Sequence, residues 1–180
     1  MKMHKLQQMV AAAMLAALTC IATLVLVIPI PIASGGYINL GDCIVLLSGW
    51  FLGPVYGCAA AAIGSFLADV FTGFLAYAPA TLLIKGLMAL LAGLLFQTLR
   101  KACPKQHFVS RLLSAVLCEL FMAGGYFLYE CLLLGNGIAA AAGIPWNLLQ
   151  GAAAVILAVP LAQKLEKISS IRKWTASAEK

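Results

Sequence analysis

The sequence predicts an all-α polytopic membrane protein, a bundle of six transmembrane helices with both termini in the cytoplasm. Three observations predict it. The 180-residue chain is 63% hydrophobic, with a mean hydropathy of +1.01. Only 10% of it is charged, against about 25% in an ordinary globular domain, which is too little to cover a surface facing water. Its basic residues, finally, gather at one set of helix ends. A spanning helix takes about 20 residues, so the whole chain, 1–180, reads as a single membrane domain with little left for an aqueous one. This composition excludes a soluble enzyme, a secreted disulfide-rich module and a nucleic-acid binder.

The first helix is read over residues 6–30. Lys2 and Lys5 ahead of it suit a signal peptide, but the apolar run exceeds the roughly 7–15 residues of a signal core, so it reads as an uncleaved span. Pro29 and Pro31 end it, because proline removes backbone donors. The second helix, 41–52, is short, and Gly53-Pro54 separates it from the third, 55–71. Thr72-Gly73 and the stretch to Pro79 lead to the fourth, 80–99. A basic loop, 100–107, precedes the fifth helix, 108–134. Gly135-Asn136-Gly137 opens a small-residue loop to Pro145, a residue suited to a first helical turn. The sixth helix covers 145–165 and a basic cytoplasmic tail, 166–180, follows.

Charge fixes the expected orientation. Lys2 and Lys5 precede the first helix. Arg100, Lys101, Lys105 and Arg111 flank the 4–5 loop, and Lys164, Lys167, Arg172, Lys173 and Lys180 follow the sixth helix. These are 11 of the 12 basic residues, and the opposite loops (31–40, 72–79 and 135–144) carry none. This is the positive-inside pattern, and it explains the net charge of +6 without an anionic partner. Cys20, Cys43, Cys58, Cys103, Cys118 and Cys131 are scattered without a C-x-x-C pair, so they read as small hydrophobes. Neither a disulfide framework nor a metal site is expected, and no cofactor.

The twelfth basic residue, Lys85, lies inside the fourth helix, where an ammonium is costly unless paired or wet. Asp42, Asp69 and Glu130 fall with it in the outer half, and intramembrane charges mark candidate solute sites. Two readings are open for Asp69 and Lys85: an ion pair bracing adjacent helices, or contacts to a ligand. Asp42 reads either as a cap of the second helix or as part of the site. Glu119, Tyr126 and Glu130 share a stripe of the fifth helix at 3.6 residues per turn, with Gly124 and Gly125 beside it. Asn147 and Gln150 share a face of the sixth, with Trp146 alongside; tryptophan also serves as an interfacial anchor. The loop from Gly35 to Asp42 offers Tyr37 and Asn39, either as a plain turn or as a cover over a small solute.

Small residues recur at four-residue spacing: Ala12/Ala16 and Ala13/Ala17 in the first helix, and Gly57/Ala61 and Ala60/Gly64 in the third. Such faces permit close helix packing, internally or against a partner subunit. No G-x-x-x-x-G-K-[ST] occurs, so the chain has no P-loop for ATP. Ser65 has no intramembrane histidine to activate it. Binding is therefore better supported than catalysis, and the alternative is a small independent permease or an intramembrane enzyme.

The ordered segments GYINLGD (36–42), GSFLAD (64–69), APATLLIKGLMALLAG (78–93), GGYFLYE (124–130) and IPWNLLQ (144–150), behind an alanine-rich first helix (11–17), give the chain a family likeness. It resembles the substrate-binding S components of energy-coupling factor (ECF) vitamin transporters. The resemblance implies a six-helix plasma-membrane protein of a prokaryote that captures a vitamin or precursor at its extracellular side. It further implies partnership with a transmembrane coupling protein (T component) and two ABC-type ATPases, with docking through Ala12, Ala13, Ala16 and Ala17. The expected substrate contacts are Tyr37, Asn39, Asp42, Asp69, Lys85, Tyr126, Glu130, Trp146, Asn147 and Gln150. Their aromatic, carboxylate and amide groups suit a small aromatic heterocycle, such as hydroxymethylpyrimidine, a thiamine precursor or pyridoxine, with riboflavin next.

Overall fold

A computed structural model describes residues 5–29, 37–102, 106–168 and 171. Lys2, Pro31, Gly35, Gly36, Cys103, Lys105 and the basic residues of the tail from Arg172 onward lie outside the described residues. The helices are α1 (Lys5–Val25), α2 (Gly41–Thr72), α3 (Ala78–Ala102), α4 (His107–Leu132) and α5 (Ile144–Leu165). A minimal hairpin of β1 (Ile28–Pro29) and β2 (Tyr37–Ile38) links α1 to α2, pairing antiparallel with Ile28 opposite Ile38 and Pro29 opposite Tyr37. The five helices are long and apolar enough to cross a membrane.

The first helix stops earlier than the sequence reading placed it. It ends at Val25 instead of reaching residue 30, and Ile28–Pro29 is extended. Proline disfavours helical backbone in the residue before it, and the β-branched Val27 and Ile28 fit an extended strand. The loop read from Gly135 to Ile144 also differs, because Gly137–Gly143 winds into 3-10 turns that run directly into α5.

The Gly53-Pro54 break lies within α2 and folds it back on itself. Gly53 adopts φ 79° and ψ 177°, a backbone region essentially confined to glycine, and Pro54 follows. A straight helix would hold residues eight apart about 12 Å from each other. Here a Cβ on Gly57 would sit 2.8 Å from the Gly49 Cα. The first arm, 41–52, and the second, 54–72, therefore lie against each other. Every residue of the first arm is buried, which explains why its sequence has no polar stripe: a helix surrounded by protein is apolar all round.

The other helices wrap this arm, α2 packing on α1, α3 and α5, and α4 bridging α3 and α5. Trp50, Leu46, Met88, Phe96, Met122 and Val159 fill the core. The Trp50 indole donates to the Ser114 hydroxyl (3.2 Å), which in turn donates to the Ala92 carbonyl (3.0 Å), so these two buried polar groups are paired. The small-residue face of the second arm serves internal packing: Ala60 and Ala61 are buried, and a Cβ on Gly64 would lie 2.3 Å from the Ala16 carbonyl oxygen of α1. Large apolar side chains, among them Met14, Leu83, Leu132 and Ile156, cover the outside, as a bundle immersed in hydrocarbon requires.

Arg111 stands near the start of α4, after the basic loop as expected, but it is withdrawn from the surface. It is fully buried, stacks over Phe96 (4.8 Å) and Trp50 (5.9 Å), and pairs with Glu166 beyond the end of α5. A planar, weakly hydrated guanidinium suits such an aromatic seat.

Candidate functional site

The helix ends opposite Lys5, Arg100 and Lys164 enclose a cavity. It is built from the C-terminal ends of α1, α2 and α4, the N-terminal ends of α3 and α5, and β2, and its volume is about 550 Å³ including the open mouth. Tyr37, Asn39, Asp69, Lys85, Tyr126, Glu130, Asn147 and Gln150 line it together with Thr23, Ser65, Tyr77, Thr81 and Gly143. The fold-back of α2 makes this possible, since it brings residue 42 and residue 69 of one helix toward the same end of the bundle.

The charges pair differently from the sequence reading. Lys85 forms its ion pair with Asp42, not with Asp69, and both partners are buried. Nor does Asp42 cap a helix: residue 40 occupies the cap position, without a side-chain hydrogen bond. The Asp42 carboxylate instead takes Lys85 on one oxygen and the Gln150 amide, which donates at 2.6 Å, on the other. The Gln150 carbonyl accepts from the Asn39 backbone N–H at 2.8 Å. The resulting chain, Lys85–Asp42–Gln150–Asn39, ties α3, α2, α5 and the segment after β2 together beneath the cavity. Asp42 itself does not line the cavity but holds two residues that do.

Asp69 faces a different set of groups. The Tyr37 hydroxyl donates to its Oδ1 at 2.5 Å, while its buried Oδ2 has no hydrogen-bond partner. Burial, reinforced by the neighbouring Asp69 charge, pushes the Tyr37 hydroxyl well up from its ordinary pKa, so this tyrosine stays a proton donor. Tyr77 donates to Glu130 Oε1 (3.3 Å), and Tyr126 shares a hydrogen bond with Thr81 (3.0 Å). The aromatic rings adjoin one another: Tyr37 with Phe74 at 4.7 Å, Phe74 with Tyr77 at 6.4 Å, and Tyr77 with Tyr126 at 6.5 Å between centroids. The lining thus brings adjoining aromatic rings together with carboxylates and amides.

Trp146 and Glu119 are not brought into this cavity. Trp146 is half-buried outside the lining, one residue and so about 100° around α5 from Asn147. Glu119 lies two turns below Tyr126, buried against Gly151, where a Cβ would come within 2.8 Å of its own Cβ, and both of its carboxylate oxygens lack hydrogen-bond partners. Gly125 permits close approach, since a Cβ there would meet Ile84 of α3 at 3.2 Å; Gly124 faces open space. Among lining residues absent from the sequence reading, Thr81 and Ser65 each carry a spacing signal: they sit four residues before Lys85 and Asp69 on the same helical faces. Tyr77 lies in the turn before α3, and Thr23 has no such signal.

The four alanines of α1 divide. Ala13 and Ala17 are exposed, Ala12 is half-buried, and Ala16 is buried against the second arm of α2.

A polar, aromatic-walled cavity at one end of an apolar helical bundle defines a membrane solute-binding subunit. The family described as ECF-type riboflavin transporter, S component, matches residues 3–167, and the chain belongs to it. It is thus of a transporter family's substrate-binding kind and not of an enzyme family. A Pyrococcus woesei protein described as the uncharacterized protein in the gap 3' region is 33% identical over 147 residues, which are 82% of this chain and 93% of the relative. A structure solved for the S component of a bacterial ECF transporter has the same fold, with a TM-score of 0.68 at 20% identity, covering 91% of this chain and 98% of that one.

Proposed function

We propose that this S component captures a planar heterocyclic vitamin at the extracellular face of a prokaryotic plasma membrane, with riboflavin the first candidate. The observation that carries the capture reading is the cavity itself, where Asp69 Oδ2 is buried without a hydrogen-bond partner; a buried acceptor of this kind is satisfied by a donor arriving from outside the chain. The family description favours riboflavin. The tyrosines offer stacking faces to a flat ring, and Asn39 and Asn147 offer amides to its polar edges. Single-ring vitamins such as pyridoxine or hydroxymethylpyrimidine are the second reading, favoured by the hydrogen bonds Tyr37–Asp69, Tyr77–Glu130 and Tyr126–Thr81, which hold the aromatic wall close.

In this reading the bundle has six spans, counting the two arms of α2 separately, and both termini are cytoplasmic. Lys5, Arg100, Lys101, Lys164 and Lys167 stand at the helix ends away from the cavity, and positive residues stay inside. A T component and two ABC-type ATPases would supply the energy, as for the family at large. Docking on the T component is assigned to the exposed Ala13 and Ala17, because Ala16 is occupied by α2.

Two measurements test the reading. Purified protein analysed by mass spectrometry should carry riboflavin or bind it on addition, and Glu130→Ala and Asn147→Ala should each weaken binding by at least about tenfold, the equivalent of about 1.4 kcal/mol, while still inserting. Normal binding by both variants would overturn the site assignment. Ala13→Trp with Ala17→Trp should abolish uptake by cells that contain the coupling protein and ATPases, yet leave binding intact; unaffected uptake would reject the docking face.

A further inference from the structure

Glu119 is an acid that the solute cavity does not use. It lies halfway along α4, 4% exposed, and both of its carboxylate oxygens are buried without a hydrogen-bond partner. Its carboxyl rests on the bare backbone of Gly151 in α5, where a Cβ would lie 3.0 Å from Oε2. The charged side chains that act on it are Asp42 of α2 and Lys85 of α3. Cys43 of α2 and its own neighbour Cys118 are the thiols that its charge reaches. Gln150, the residue before Gly151, spends its amide on Asp42. Two acids therefore share one amine, and Lys85 already pairs with Asp42. An ionised Glu119 would add an unbalanced negative charge to the interior with no donor to receive it, and an acid so placed neutralises instead. A metal ion takes six or more oxygen ligands, and no group of three metal-ligating side chains occurs among the described residues. A proton needs only the one carboxyl.

We infer that Glu119 is a proton-binding site, and that its proton keeps the contacts beneath the solute cavity intact. With the proton in place, Asp42, Lys85 and Glu119 are neutral as a group and the ammonium belongs to Asp42 alone. Without it, a second carboxylate competes for the same ammonium. Asp42 holds the Gln150 amide, and Gln150 holds the Asn39 backbone N–H at 2.8 Å. Drawing Lys85 toward Glu119 thus disturbs three residues of the cavity lining, Lys85, Gln150 and Asn39. Solute affinity falls as the pH rises past the point at which Glu119 releases its proton. The proton stands independently of the capture reading above; its effect on affinity rests on that reading.

Infrared difference spectroscopy of the purified full chain at neutral pH, wild type minus Glu119→Gln, tests the proton. The variant should lose the carbonyl stretch of one protonated carboxyl. Loss of a carboxylate band instead would overturn the inference, whichever cation balances that charge. If Glu119→Gln does not fold, Glu119→Asp takes its place, and the protonated band should shift; an unshifted band would overturn the assignment. Titration with riboflavin from mildly acidic to alkaline pH tests the consequence. Wild-type affinity should fall by about tenfold or more across the range, while Glu119→Gln, which mimics the neutral acid, should hold its affinity. A flat wild-type profile, or one equally steep in Glu119→Gln, would overturn the coupling to the cavity. If riboflavin does not bind at any pH, the capture reading fails for that vitamin and the infrared difference still decides the proton.

Discussion

Replacing Asp42 by alanine is expected to destabilise the protein by about 3–5 kcal/mol, the usual cost of removing one partner of a buried ion pair. The reason is local. Lys85 is 3% exposed and pairs with Asp42, so its ammonium would remain in the bundle without a counter-charge. The Gln150 amide would lose its acceptor at the same time, and through Gln150 the hold on Asn39 would weaken. Ligand affinity should therefore fall along with stability, although Asp42 does not touch the cavity. Denaturant or thermal unfolding in detergent reads the first effect and vitamin titration the second. A double variant, Asp42→Ala with Lys85→Met, should recover most of the lost stability, because no charge is then left unpaired, but should not recover binding. A single-variant cost below about 1 kcal/mol would show that Lys85 finds another partner and that the chain of contacts under the cavity is not structural.

The second large effect is expected from Gly49→Val. A Cβ at this position would lie 2.3 Å from the Ala89 carbonyl oxygen and 3.0 Å from the Ala92 Cβ, and both belong to a helix packed tightly on the other side. Overpacking of a core costs about 1–3 kcal/mol when side chains can move aside; here the obstacle is backbone, so about 3 kcal/mol or more is expected. The first arm of α2 must then separate from α3, and with it Asp42 from Lys85. The variant should lose both stability and solute binding, read by the same two assays. Gly124→Val makes a control, because nothing lies within 4 Å of a Cβ there; an equal loss in both would refute close packing as the cause.

The membrane bundle was legible in the sequence because bilayer thickness acts on composition over long stretches, and the spans declare themselves without reference to partners. The candidate site was legible for the related reason that a polar residue in hydrocarbon is expensive: Lys85, Asp69, Glu130, Asn147 and Gln150 stand out wherever the chain folds, and the structure gathers them round one cavity. Pairing was less legible. Asp42 and Asp69 are equivalent to Lys85 by type alone, and only the reversal of α2 at Gly53 decides which of them meets it. Trp146 was grouped with the expected site by its i, i+4 spacing from Gln150, a spacing that puts two side chains on one helix face without bringing both to the cavity lining. Ala16 was grouped with Ala12, Ala13 and Ala17 by four-residue spacing, which also describes an internal contact, and Gly64 claims it. Thr23, within an apolar run, carries no mark that separates it from a hydroxyl bonded to its own helix. The end of α1 at Val25 carried no mark of its own, because Pro29 restricts only Ile28, and the pairing of Ile28–Pro29 with Tyr37–Ile38 that takes up the chain there is a tertiary contact.

The reversal at Gly53 also bears on how the protein is made. The first arm of α2, residues 41–52, measures about 18 Å at 1.5 Å per residue, short of the roughly 30 Å hydrocarbon thickness, and it carries Asp42 near its start. All of its neighbours in the finished bundle come from other segments, and the lysine that neutralises Asp42 is translated 43 residues later. A chain synthesised only as far as Thr72 thus holds Asp42 before the lysine that neutralises it in the finished bundle. The counter-charge of the first arm is therefore supplied only when α3 is in place.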